Sequence, residues 1–187
     1  IERAFSMICT GSTKNFEPKM VLDILPKLLS TMILEILKKK KHASVKALHG
    51  YCYFHRLFIL LVEKYPKIKE MVTDIVSKFI KDPKYRHKDE CSNIGEMLTL
   101  LSVSDYCWAD IRDAYLEEAN SRSIFWILNK FPELDITKVK HEQISEEEKL
   151  KYCFESSIIG QRLLWYNVFF LEKVAHAGKK SLKDVAA

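Results

Sequence analysis

The sequence predicts an all-α fold, and three observations carry that prediction. Glycine and proline number only five each among 187 residues, too few for the turns that a sheet-rich chain needs roughly every 8–12 residues. Apolar residues recur at steps of three and four along most of the chain, the period of a helix with one face turned inward. The chain is 48% hydrophobic and 29% charged, a composition that builds a packed core.

The first helix is expected over 17–41, "EPKMVLDILPKLLSTMILEILKKKK", where Met20, Ile24, Leu28, Met32 and Ile36 share a face. Pro18 suits a first turn, and Lys38, Lys39, Lys40 and Lys41 suit the negative end of the helix dipole. Pro26 falls inside and predicts a kink, or two helices joined end to end. Residues 43–66 form a second helix, apolar nearly all round from Tyr51 to Val62, the signature of a central and buried element. Its Gly50 reads as a point of close approach for a neighbouring helix. Pro66 restarts the chain, and 66–82 places Ile68, Met71, Val72, Ile75, Val76, Phe79 and Ile80 on one face. "PKYRHKDE" (83–90) reads as a charged loop. Helices follow at 92–104, behind a Ser or Asn cap, and at 104–132, capped by Ser104 or Asp105, with a break expected near Asn120–Ser123.

Residues 132–144 are the weakest-structured stretch and read as an internal linker. Ser145 and Glu148 then match the spacing of a capping box, opening a helix expected to reach His176, with a frayed tail over 177–187. This makes seven or eight helices in a single domain, 1–187. No strict sequence period marks a repeat, yet short proline-marked turns favour antiparallel helix pairs stacked in a right-handed array, in the HEAT or armadillo manner, over a closed bundle. The chain opens on Ile1, with no signal peptide in view, and reads as a piece of a larger protein whose neighbouring domains would hold any activity.

Composition excludes several functions. The five glycines are isolated, so neither a phosphate-cradling loop nor a dinucleotide fingerprint can be written. The most apolar window, "IIGQRLLWYNVFFL" (158–171), is interrupted by Gln161, Arg162 and Asn167, too short and polar to span a membrane. The net charge of +5 is uneven: residues 1–91 hold 18 Lys and Arg against 10 Asp and Glu, the remainder 12 against 15. Five widely spaced cysteines suit free thiols in a reducing compartment, so the expected location is intracellular, cytoplasmic or nuclear.

Four sets of residues carry possible chemistry. "ALHGYCYFHRLF" (47–58) holds Cys52 and His55 three apart, on neighbouring sides of a helix. With His87 and Cys91 they are the candidate ligands of a zinc site, whereas packed thiols and hydrogen-bonded histidines are the expected reading, so no cofactor or metal is assigned. Cys91, near Arg86, His87 and Lys88, is the best-placed thiol for nucleophilic work, but no catalytic motif surrounds it. Asp110, Asp113 and Glu117 share one helical face and read as a solvated acidic stripe able to dock a partner. The basic run Lys38–Lys41, with Tyr85 in "KDPKYRHK", is the only footing for nucleic acid. The aromatic crowding of Trp165, Tyr166, Phe169 and Phe170 faces more than one direction and asks for a cover, Trp165 and Phe169 on the partner's side.

"KALHGYCYFHRLFILLVEKYP", "NIGEMLTLLSVSDYCWADI" and "YLEEANSRSIFWILNKFPEL" resemble helical regions of large eukaryotic proteins that also carry ubiquitin-conjugating-like domains. The resemblance covers about residues 25–135 and transfers no functional residue. It implies an accessory helical module of the ubiquitin pathway, with any catalytic cysteine outside this chain. The expected function is therefore a non-enzymatic scaffold that binds another protein, as an extended segment or a helix. A zinc- or cysteine-dependent module and a nucleic-acid-binding array are the alternatives.

Overall fold

The computed structural model describes residues 17–38, 45–135 and 145–158, and these are 83% helical, with no strand among the described residues. The elements run α1 (Pro18–Lys38), α2 (Val45–Lys64), α3 (Pro66–Lys81), a 3₁₀ turn (Pro83–Arg86), α4 (Gly95–Leu101), α5 (Trp108–Lys130), a second 3₁₀ turn (Pro132–Leu134) and α6 (146–158). Six helices are thus described, fewer than the seven or eight expected from the whole chain.

α3 is the hub. Pro66 stands at its start, where a missing N–H costs nothing, and Ile68, Val72, Val76 and Phe79 are buried along one stripe. Each such side chain contributes about 1.5–3 kcal/mol relative to exposure. Around this stripe pack α1, α2, α4 and α5. The shared core takes Leu25 and Leu29 from α1, Phe58 and Val62 from α2, Leu98 and Leu101 from α4, and Ile111 and Tyr115 from α5.

Several expectations meet corrections. The centrality expected of α2 belongs to α3: Tyr53 and Leu60 of α2 are exposed beside Cys52 and Arg56, although Tyr51, His55, Leu57, Phe58 and Ile59 are buried. α1 continues through Pro26 as one helix, with that proline buried. α5 also runs unbroken across Asn120–Ser123, where Ser123 Oγ donates to the Ala119 carbonyl at 2.8 Å and so keeps its hydroxyl inside the helix. Neither Ser104 nor Asp105 caps α5. Its cap is Cys107, whose N–H is accepted by Asp110 Oδ2 at 2.7 Å. Ser104 instead closes a local turn, its hydroxyl accepting from the Tyr106 N–H.

α4 begins at Gly95, later than expected, and Asn93 does two jobs there. Its Oδ1 accepts from the Gly95 N–H at 3.0 Å, and its Nδ2 donates to Ser30 Oγ on α1 at 2.9 Å. Gly50 fits its expected role, since a Cβ placed there would stand 3.0 Å from the end of the Met32 side chain on α1. The Ser145 capping box is present: the Glu148 N–H donates to Ser145 Oγ, and the Ser145 N–H donates back to Glu148 Oε2, both at 3.2 Å. The Ser145 hydroxyl, which donates to Glu148 Oε2 at 2.8 Å, and then the Ser145 N–H hold the Glu148 carboxyl below its ordinary range. Most of the expected 132–144 linker, and everything beyond residue 158, lies outside the described residues.

Candidate interaction surface on helix α5

The charged segment 82–94 is held on the body by two arginines. Arg86 is buried, and its Nε and Nη2 donate to the Phe79 and Ile80 carbonyls at 2.8 and 2.9 Å. Those carbonyls belong to the last turn of α3, which lacks helical partners and favours a cation. The remaining arm, Nη1, reaches Glu117 Oε2 on α5 at 2.8 Å. Arg122 grips the same segment from α5. Its Nη2 donates to the Arg86 and Cys91 carbonyls at 2.7 Å each and its Nη1 to the Ser92 carbonyl at 3.3 Å, while Nε pairs with Glu118 at 2.6 Å. The expected charged loop is therefore a structural strap, because each guanidinium satisfies carbonyls that no helix or turn serves.

On α5, Ile111, Tyr115, Glu118, Arg122 and Phe125 recur at alternating steps of four and three, one continuous inward face. Exposure climbs along it. Ile111 and Tyr115 are 0% exposed, the side chains of Glu118 and Arg122 are 20% and 19% exposed, and Phe125 is 60% exposed. Arg122 thus marks the edge of the body, and beyond it α5 overhangs with its core-type stripe uncovered. Ile124 and Trp126 beside Phe125 are 50% and 63% exposed. Large side chains left open together make this stretch a candidate interaction surface. α6 approaches the end of α5 through the Phe131 and Tyr152 rings, 5.4 Å apart, and exposes Leu150 and Phe154 of its own.

The acidic stripe leads into this overhang. Asp113, Glu117 and Ile124 lie at steps of four and seven, within about 40° of one another around the helix. Asp110 shares that face, but its carboxylate is engaged at the cap. Asp113 pairs with neighbouring Arg112 at 2.8 Å, which holds its carboxyl below the usual range, and Glu117 meets Arg86; both acidic side chains remain well exposed.

The candidate zinc ligands are not brought together. Cys52 is exposed and His55 is buried on the same helix, while His87 is exposed and Cys91 buried on the strap. No group of three or more His, Cys, Asp or Glu side chains converges among the described residues. His55 is a packing residue: its ring stacks on Tyr51 at 5.7 Å, and its Nε2 lies 2.9 Å from Ser102 Oγ. The Ser102 proton goes to the Thr99 carbonyl at 2.7 Å, so Nε2–H is the donor to Ser102. Burial pushes the Cys91 thiol up to about 11, partly opposed by Arg122, so the thiolate that nucleophilic work requires is disfavoured. A shallow open groove along α3, lined by Lys69, Glu70, Thr73, Asp74, Asp105 and Tyr106, is bridged by the Lys69–Asp105 pair at 2.6 Å.

Lys38 ends α1, and Lys39, Lys40, Lys41, Trp165 and Phe169 lie outside the described residues. Among described residues no helix is long and apolar enough to cross a membrane. Sequence reasoning missed Arg86, Arg122 and the Ile124–Trp126 overhang. The signal was there: an apolar stripe interrupted by an arginine one turn before its last aromatic residue marks where a core stops. Comparison with family models, curated proteins and solved structures returns no match.

Proposed function

We propose that this chain is a non-enzymatic protein–protein interaction module, part of a larger intracellular protein, whose helices stack in a HEAT- or armadillo-like right-handed array. The observation that supports the reading is the overhang of α5, where a core-type face ends on exposed Phe125 with Ile124 and Trp126 beside it. Leaving such side chains in water has an energetic cost that a docked partner removes. Asp113 and Glu117 extend the proposed surface along α5. Lys38–Lys41, Trp165 and Phe169 remain proposed contacts from the sequence pattern alone. The link to the ubiquitin pathway rests on the resemblance alone.

A photo-crosslinking residue at position 125, introduced into the protein in its native cells, tests this reading. A discrete cross-linked protein, lost when Trp126→Ser is added and absent when the probe sits at Lys67, is the expected outcome. Cross-links equally abundant at both positions would sink the reading.

A further inference from the structure

One face of α5 runs from acidic Asp113 and Glu117 to apolar Ile124, and exposed Phe125 stands on the adjoining side of the helix, about 100° round from Ile124. The charge around the apolar end is also one-sided. Residues 116–135 and 145–158 carry eight Asp and Glu against four Lys and Arg. Three of those four cations are already engaged: Arg122 with Glu118 and three carbonyls, Lys130 over the Phe131 ring at 4.9 Å, and Lys149 with Glu146 at 2.7 Å. Asp113 and Glu117 pair with Arg112 and Arg86 yet stay well exposed, so a docking element meets an apolar ledge with net negative surroundings. From Asp113 to the end of α5 at Lys130 the helix is about 27 Å long at 1.5 Å per residue, the length of a five-turn helix laid beside it.

We infer that this ledge takes a basic amphipathic helix of a partner protein. Its apolar residues cover Ile124 and Phe125, and its Lys or Arg residues lie over Asp113 and Glu117. Helices recognised this way present anchors at steps of three and four, and complementary charge fixes their direction. This inference rests on the interaction-module reading and adds the chemistry of the partner to it.

The test uses the whole 187-residue chain and three synthetic peptides of about 18 residues, roughly five helical turns. One carries leucine on one face and lysine on the other. The second replaces lysine with glutamate, and the third replaces leucine with serine. Fluorescence anisotropy should show the Leu/Lys peptide binding at least about tenfold more tightly than either control, and more weakly as salt rises. Phe125→Ser with Trp126→Ser should weaken it by about tenfold or more, as for a hot-spot anchor. Asp113→Lys should weaken it while improving the Leu/Glu peptide, with unchanged circular dichroism in every variant.

Equal binding of the Leu/Lys and Leu/Glu peptides, or undiminished binding to the double variant, overturns the inference. So does sedimentation showing a dimer that the double variant abolishes, which assigns the ledge to a second copy. A cross-link from position 125 to residues 159–187 of the same chain overturns it in favour of an internal cover. If the peptides fail while position 125 still captures one discrete protein, the partner chemistry is wrong and the module reading stands.

Discussion

α3 and α5 are built from the same kind of stripe and meet opposite fates. Along α3 every member of the stripe, from Ile68 to Phe79, is buried, because four other helices surround it. Along α5 the stripe is buried only at Ile111, Ala114 and Tyr115, and then passes through Glu118 and Arg122 into solvent at Phe125. Local pattern fixes which face of a helix is apolar. Only the layout of the other helices fixes whether anything covers it. Two phenylalanines at equivalent register, Phe79 and Phe125, thus serve the core in one helix and stand open to solvent in the other.

The contrast can be broken most directly by removing each ring. Phe79→Ala should cost about 3–5 kcal/mol in urea unfolding, whereas Phe125→Ala should stay within about 0.5 kcal/mol. Comparable losses would mean that the α5 overhang is covered. Next in size is the strap. Arg122→Ala leaves the Arg86 and Cys91 carbonyls without their donor and should cost about 1–3 kcal/mol, with faster proteolysis within 82–94 as the local readout. Ser102→Ala, which removes the acceptor of the His55 Nε2–H, should cost about 1 kcal/mol or somewhat more by thermal unfolding.

The smallest effect is a pH slope. Burial raises the Cys91 thiol from its ordinary 9.0 to about 11, so the folded state favours the protonated form. Its contribution is fully present below pH 9 and is lost as pH rises through about 11. Stability measured across that window should fall more steeply in the wild type than in Cys91→Ala. Parallel curves would show that the thiol is not buried as described.

Helix type and inward faces were legible because they follow from local periodicity: α3 and the Ser145–Glu148 box stand where their patterns place them. The character of the strap was not legible. In "PKYRHKDE" nothing local separates Arg86, buried against α3 and α5, from exposed His87 and Lys88, since its partners lie at Phe79, Ile80 and Glu117. The break expected near Asn120–Ser123 was misread for a related reason: a residue of low helix propensity is tolerated where a local hydrogen bond compensates, as between Ser123 and Ala119. Of the surface, the acidic stripe was visible as a shared face, but its continuation into Ile124, with Phe125 beside it, gains meaning only once the body is seen to end at Arg122.

That boundary has a consequence for how the molecule opens. The turns of α5 before Arg122 are locked to the global unfolding of the core. The turns after it are held apart from that core, by Phe131, buried at their end against Tyr152 of α6, and Ile124, Phe125, Trp126 and Ile127 are mediocre helix formers in isolation. Amide hydrogens on the two sides of one guanidinium should therefore exchange in different regimes, by whole-molecule opening before it and by fraying after it. Geometrically α5 is one helix of 23 residues; thermodynamically it is two.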